Sequence, residues 1–285
     1  MNLNSVSAFL GLRANASPTA TNVTNDVQIG VSAQQIAFPT ASAAYSVQMF
    51  IAEGSTVDLD LLTNDTTGSD AWVAGVAQIE TATAVGTITG TGNATVVFTG
   101  PVVGSPITLS VPVVSGDTAA QWADKVRVAM AANGPISDAF TVGGSSTSIL
   151  VTRKPLQEIS GVPFYPANNS GLNISLDNGT CTGITTAATS ANTTSGVATS
   201  GALILDGDED VFGEPISGAA VVAMLISCGA GSCVVSNGTD THEFGEGSKR
   251  LIIGGGTSSA FSGDADFTFE SIDGAVEITL TAMLS

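Results

Sequence analysis

The chain has 285 residues, enough for two domains, and although 43% of them are hydrophobic only 11% are charged. Its 25 acidic and 7 basic residues give a net charge of −18 without a basic cluster, which argues against nucleic acid as a partner because phosphate binding needs a positive surface. No apolar run approaches the ~18 residues of a membrane span. The surface is expected to be rich in Ser, Thr, Asn and Gly, which favours a subunit that packs against other subunits over a free cytosolic enzyme.

The chain begins with a segment rich in Asn, Ser, Thr and Ala, residues 1 to about 27, which lacks both hydrophobic periodicity and the basic start of a secretory signal. We expect an extended N-terminal arm there, with a disordered terminus as the alternative. Alternating apolar positions then predict short strands with one buried and one solvated face. These positions are Val27, Ile29, Val31, Tyr45, Val47, Met49, Val57, Leu59 and Leu61.

Residues 86–184 form a self-contained pattern of short strands, turns and one helix. The helix is predicted over about 118–133, because Thr118 and Gln121 have the spacing of a capping box and Gly134 with Pro135 supplies a stop. Apolar residues at helical spacing predict that it packs on a small antiparallel sheet of the same module. They are Trp122, Val126, Ala129 and Met130, and for Trp122 core packing is favoured over cofactor binding.

A Ser/Thr/Gly-rich stretch, "TSANTTSGVATSG", predicts a return linker. The most apolar run, residues 219–228, predicts a central strand, and "RLIIGGG", "ADFTFESI" and "AVEITLTAML" predict three more. Neither flank of the module has enough strands for a sandwich by itself. We therefore predict a mainly β protein in which residues 1–81 and 201–285 form one split β-sandwich, and residues 82–200 form an inserted small α+β module with its linkers.

Three alternating aspartates, Asp206, Asp208 and Asp210 in "DGDEDVFG", are the candidate metal ligands. Alternating carboxylates are typical of a calcium loop, but Val211 stands where such a loop needs Gly and Ser217 where it needs a bidentate Glu. A solvated acidic turn is therefore the favoured interpretation, with weak calcium binding as the alternative. We predict no other metal site and no cofactor.

Three cysteines, Cys181, Cys228 and Cys233, exclude a fully paired intramolecular disulfide framework. Cys228 and Cys233 flank "GAGS", which is long enough to be a loop between two strands, so a disulfide across a hairpin is one interpretation. The favoured interpretation is that both are reduced thiols in the core. His242 is the only histidine and lies in a predicted turn. No Gly-x-Ser-x-Gly sequence accompanies it, so we expect no catalytic residue and no enzyme activity.

Three stretches of the module resemble a domain that recurs in the virion proteins of tailed bacteriophages: "ETATAVGTITGTGNATVVFTG", "GSPITLSVPVVSGDTAAQWADKVRVAMAANGPISDAFTVGGS" and "GLNISLDNGTCTGIT". The flanks are similar, through "TVDLDLL", "DVFGEPISGAAVVAMLI", "RLIIGGG" and "AVEITLTAML", to a β-sandwich of small phage structural proteins. The resemblance carries over no catalytic residue. It implies a non-enzymatic component of the virion.

The role that we expect from this resemblance is that of a capsid decoration or cement protein, which binds the outside of the head shell and stabilises it. Its partners would be the major capsid protein and sister subunits. We expect a homo-oligomer, and a trimer would suit the local threefold positions of a shell. The alternatives are a tail protein, either tube or fibre, and an adhesin that binds a host-surface glycan.

Overall fold

The computed structural model describes residues 6–7, 37–38, 43–62, 65–66, 68–185, 190–205, 221–237, 241–253 and 266–284. These residues form a mainly β fold with several antiparallel sheets, as the sequence predicts, and two helices. The chain divides into two compact units: Met1–Asp70 with Gly201–Ser285, called the first unit, and Ala71–Ser200, called the second unit. The earlier boundary thus lies at residue 70, whereas the sequence analysis placed it at residue 81.

The first eight elements in chain order are strands β1 (Val6–Ser7), β2 (Ala37–Phe38), β3 (Ala43–Ile51), β4 (Thr56–Asp60), β5 (Asp65–Thr66), β6 (Ile79–Thr83), β7 (Gly92–Thr99) and β8 (Ile107–Val113). Then come helices α1 (Ala119–Ala131) and α2 (Gly134–Ala139), followed by strands β9 (Phe140–Gly143), β10 (Ser148–Arg153), β11 (Gln157–Ile159), β12 (Val162–Phe164), β13 (Asn173–Asp177) and β14 (Ala191–Thr194). The last five are β15 (Ala202–Leu205), β16 (Val221–Ser236), β17 (Thr241–Phe244), β18 (Lys249–Ile253) and β19 (Asp266–Leu284). Of the predicted N-terminal arm only β1 is described, paired with β2, and the strand expected at 27–31 lies outside the described residues.

The first unit contains an eight-stranded sheet in which two long strands, β16 and β19, run side by side. In one half of the sheet, β3 pairs with the last part of β19, β15 pairs with β3, and β18 pairs with the first part of β16. In the other half, β4 pairs with the first part of β19, β5 pairs with β4, and β17 pairs with the last part of β16. Strands from both sides of the second unit therefore pair within one sheet.

The two halves of this sheet enclose one hydrophobic core. Val57 and Leu59 on β4 are buried while Asp58 and Asp60 beside them are partly exposed, as the alternation predicts. The Tyr45 hydroxyl on β3 donates a hydrogen bond to the carbonyl of Leu61, which follows β4, at 2.9 Å and so joins the two halves across the core. Folding the sheet onto itself removes the apolar face of each half from water, at about 25 cal/mol for each Å² buried.

Both long strands change direction between the two halves at β-bulges, where the pairing of β16 with β19 shifts register. The stretch "GAGS" between Cys228 and Cys233 lies in this bulged part of β16, so it is not the hairpin loop that the sequence predicts. The two strands predicted near the C-terminus are likewise one strand, β19, with Gly274 at φ +66° where it bends. His242, expected in a turn, lies in β17 opposite Val235.

The second unit has two main sheets over one core, where the sequence predicts a single small sheet. One sheet has the strand order β14-β6-β10-β9 and the other β13-β7-β8, while β11 and β12 form a separate hairpin. β14 lies in the stretch that was expected to be a linker. Its neighbouring threonines are β-branched and suit an extended edge strand, so composition alone did not separate strand from linker.

Helix α1 begins and ends close to the predicted limits. Thr118 caps its N-terminus, and both hydrogen bonds of the predicted capping box with Gln121 are present. The side chains of Trp122, Val126 and Met130 are fully buried in the core of the second unit. The predicted apolar stripe therefore packs the helix on the rest of the unit, and Trp122 is a core residue.

The residues predicted to stop the helix begin a second one instead. Asn133 caps α2 by accepting a hydrogen bond from the Ile136 N–H at 3.3 Å, and Gly134 and Pro135 form its first turn. Proline is tolerated there because the first N–H groups of a helix have no partner within the helix. The described residues of the module therefore contain two helices, where the sequence predicts one.

The second unit begins and ends in segments that pair with each other. The Val73 N–H donates to the Ser200 carbonyl at 2.9 Å, and a further antiparallel bridge follows at Val76. Within the first unit, the Ala202 N–H donates to the Asp70 carbonyl at 3.1 Å. The points where the chain leaves and re-enters the first unit therefore lie side by side.

Candidate functional site

The predicted metal ligands Asp206, Asp208 and Asp210 lie outside the described residues. Within the part of the chain that the structure describes, no group of three or more His, Cys, Asp or Glu side chains is arranged to hold a metal ion. Neither helix of that part has the length and hydropathy needed to cross a membrane.

The two cysteines considered as a disulfide, Cys228 and Cys233, are free thiols in the core of the first unit. The Cys228 thiol donates to the Gly231 carbonyl at 3.4 Å, inside the bulged part of β16. Burial raises the pKa of Cys228, and burial together with the neighbouring Cys228 raises the pKa of Cys233 to about 12. Both groups therefore stay protonated near neutral pH, which makes them poor nucleophiles and poor metal ligands.

Neither thiol is activated by the histidine. The register of β16 and β17 places Phe244 opposite Cys233 and His242 opposite Val235. Among the described residues, no hydrogen bond joins His242 to Cys228 or Cys233, so the geometry of a cysteine-histidine pair is not formed.

A concave surface of the described residues lies in the second unit. It is a cleft of about 300 Å³ between the loop after β7, the second helix and the segment after β10. We call it the Arg153 cleft, and it is lined by 101–103, Pro135, Asp138, Ala139 and 153–156. Val103 and Leu156 on its rim are 86% and 66% exposed, the two highest values among the large hydrophobic residues described.

Arg153, the last residue of β10, is held in place at its backbone and at the face of its side chain. Its N–H donates to the Gln78 carbonyl at 2.8 Å, and its guanidinium lies over the Phe140 ring, 5.0 Å from the centroid. The donors Nε and Nη1 are buried and have no hydrogen-bond partner among the described residues. Burial lowers the pKa of Arg153, which reflects the cost of holding this charge away from water.

Arg153 also lines a smaller cavity of about 110 Å³ that includes Gln78, Phe140 and Asn169. The Gln78 side-chain amide donates there to the Asn169 carbonyl at 2.9 Å and accepts from the Asn169 N–H at 2.8 Å. The donors Nε and Nη1 of Arg153 have no such partner among the described residues.

Lys154 places a second positive charge at the cleft. Its N–H donates to the Ala139 carbonyl at 3.0 Å and its Nζ to the Ser137 carbonyl at 2.6 Å, which fixes the end of α2 to the segment after β10. Asp138 lines the same cleft and is exposed, yet the described residues show no ion pair between it and either cation. Within the described part of the chain, neither cation therefore forms an ion pair.

This cleft is not apparent from the sequence, in which Arg153 and Lys154 are two of the scattered basic residues and stand at the end of a predicted strand. The lining comes from three segments, residues 101–103, 135–139 and 153–156, which only the folded unit brings together. A local signal was present in "TRKPL", where two cations precede a proline and an exposed leucine, but a solvated strand end has the same pattern.

Comparison of the chain with protein-family models, with curated proteins and with solved structures gives no match. The resemblance to bacteriophage virion proteins therefore stays a prediction from the sequence.

Proposed function

We propose that the protein is a non-enzymatic structural protein of a bacteriophage virion, which decorates the outside of the head shell and stabilises it. The first unit would bind the major capsid protein and sister subunits, and the second unit would be displayed to the solvent. A trimer remains the assembly that we propose for the local threefold positions of the shell.

The observation that carries the proposal is the way in which the second unit is inserted. The chain leaves the first unit after Asp70 and re-enters it at Gly201, and the N–H of the next residue, Ala202, donates to the Asp70 carbonyl at 3.1 Å. The sheet of the first unit is complete without the inserted residues, since its strands come from both sides of the insertion. This organisation suits a protein in which one unit docks on a repeating surface while the other is carried by it.

The composition supports the same assignment. When a surface with few charged groups is covered by another subunit, little hydration free energy of charges is lost. Such a surface therefore suits repeated contacts between subunits. The edge strands of the first sheet, β5, β15, β17 and β18, are also short, with two to five residues, which limits unwanted pairing of free subunits.

The proposal is tested by immunogold electron microscopy of purified particles of a phage that encodes this chain, with an antibody against residues 71–200. Label over the head supports a decoration protein. Label along the tail or at its tip overturns that assignment in favour of a tail protein, and unlabelled particles overturn the virion assignment. The matched control is a phage whose chain has residues 71–200 replaced by Asn-Gly, on which the label must be lost.

A further inference from the structure

We propose that the Arg153 cleft binds a carboxylate carried by a short acidic and aliphatic segment of another polypeptide. This inference goes beyond the proposed function and does not depend on it, because it concerns the surface of the second unit alone.

Two positive charges at the cleft form no ion pair among the described residues. The two ion pairs of the described residues join Lys125 to Asp117 and Arg127 to Asp124, whereas Arg153 and Lys154 have no such partner. In a chain with 25 acidic and 7 basic residues, two adjacent cations that form no ion pair, although Asp138 lines the same cleft, are an unexpected arrangement. A carboxylate from outside would restore the balance.

The geometry of the guanidinium also favours a carboxylate. The Phe140 ring covers one face of Arg153, so the remaining contacts available to it lie at its edge. Nε and Nη1 are buried without partners among the described residues, and unpaired buried donors are costly. They belong to two different edges of the guanidinium, each of which also includes Nη2. A carboxylate would therefore accept from Nη2 together with one of them, after a small movement of the side chain toward the cleft.

The rim of the cleft indicates the class of ligand. The rim of the cleft is aliphatic, formed by three prolines with Val103 and Leu156, and none of its lining residues is aromatic. Sugar rings are usually held by aromatic platforms, whereas an aliphatic side chain beside a carboxylate would fit this rim. The chemistry of the cleft thus favours an acidic peptide segment over an acidic glycan. Asp138 on the rim would repel a second carboxylate and favour a segment with a single acidic residue at this point.

The test uses the four arginines of the chain, whose Nε–H groups are few enough to be resolved individually by NMR of the full-length, ¹⁵N-labelled protein. The probe is N-acetyl-Asp-Leu-amide, and the matched neutral probe is N-acetyl-Asn-Leu-amide. We expect the Asp peptide to shift the Arg153 Nε–H signal saturably, with a dissociation constant on the order of 1 mM for so small a ligand. The Asn peptide should cause no saturable shift.

Three variants complete the experiment. Arg153→Gln has no Arg153 Nε–H signal, so its binding is followed through the backbone amide signal of Lys154. Its dissociation constant should be at least about tenfold higher, because the charge-assisted hydrogen bonds are removed. Leu156→Ser changes only an exposed rim residue, so the variant protein should keep its fold. The substitution should weaken binding of the Asp peptide about fivefold, because an apolar contact is lost. Arg250→Gln removes an exposed cation of β18 in the first unit and should change nothing.

Three results would overturn the proposal. They are the absence of a saturable shift at Arg153, an equal shift with the neutral peptide, and binding of D-glucuronate as tight as that of the Asp peptide, which would assign the cleft to a glycan carboxylate. None of these results depends on whether the protein is found in virions, so this inference and the proposed function can fail separately.

Discussion

The Nζ atom of Lys125, in the second turn of α1, lies 2.5 Å from Oδ2 of Asp117, the residue before the helix cap. The same carboxylate oxygen accepts a hydrogen bond from the Val114 N–H at 2.8 Å. Asp117 thereby ties the turn after β8 to the helix that packs on the core of the second unit. It is one of the few charged side chains of the described residues that are buried.

Substitution of Asp117 by Asn should destabilise the protein in a pH-dependent way. The hydrogen bond from Lys125, and next that from Val114, hold the pKa of Asp117 below its usual range. The stabilisation is therefore present above the unfolded pKa of about 4 and is lost as the pH falls through the lower, folded pKa. We expect Asp117→Asn to cost about 1 kcal/mol near neutral pH and the difference to shrink in acid, measured by urea unfolding.

The matched control for Asp117 is Asp124→Asn. Asp124 is 71% exposed at its side chain and pairs only with Arg127 at 3.3 Å, so its loss should cost less than about 0.5 kcal/mol. Equal effects of the two substitutions, or an effect of Asp117→Asn that does not change with pH, would contradict the role given to Asp117.

Gly183 should be far less tolerant of alanine than Gly104, although both have positive φ values of +109° and +79°. A Cβ at Gly183 would overlap the carbonyl oxygen of Thr87, whereas a Cβ at Gly104 would have nothing within 4 Å. We expect Gly104→Ala to cost about 1–2 kcal/mol from backbone conformation alone, and Gly183→Ala at least about 3 kcal/mol. Equal midpoints of urea unfolding for the two variants would rule out the close approach at Gly183.

The three thiols should be unreactive in the native protein. Cys181, Cys228 and Cys233 are buried, and burial is the main cause that raises the pKa of each. Iodoacetamide near pH 8 should label none of them in buffer and all three in urea, as counted by mass spectrometry. Rapid labelling without urea, or a mass lower by two hydrogens, would contradict buried free thiols.

The same raised pKa values predict the direction of a pH effect on stability. Above about pH 8.5 the unfolded thiols release protons, while Cys233 keeps its proton in the folded state until its pKa of about 12. The free energy of unfolding should therefore fall as the pH rises through this range, and Cys233→Ala should reduce the fall. An unchanged slope in the variant would show that other groups cause the effect.

The first unit should fold without the second. Asp70 and Ala202 are joined by a hydrogen bond, so a chain in which Asn-Gly replaces residues 71–200 closes the gap with a tight turn. We expect this variant to be monodisperse on size exclusion, to keep a β-type circular dichroism spectrum and to unfold cooperatively. A molten or aggregated product would mean that the first unit depends on the insertion.

The local features of the fold could be predicted from the sequence, because their causes are local. The capping box at Thr118, the apolar stripe through Trp122 and the alternation in β4 each rest on residues a few positions apart. Bends inside strands could not be predicted. A glycine-rich stretch such as that between Cys228 and Cys233 can form either a hairpin loop or a bulge. Here it forms a bulge because β16 pairs with β19, a strand that is distant in the sequence.

The candidate site was harder to predict than the fold. Its two cations are adjacent in the sequence, but the significance of Arg153 depends on Phe140, which stacks on it, and on the absence of an acid close enough to pair with it among the described residues. Both are properties of the folded second unit. The aliphatic rim likewise comes from segments that are separated by many residues.

The most direct test of the central claim is the copy number of this chain in purified particles of the phage that encodes it, measured by quantitative mass spectrometry against the major capsid protein. A decoration protein predicts a copy number of the same order as that of the major capsid protein. A copy number as low as that of the tail proteins, or no detectable chain in the particles, would contradict the account.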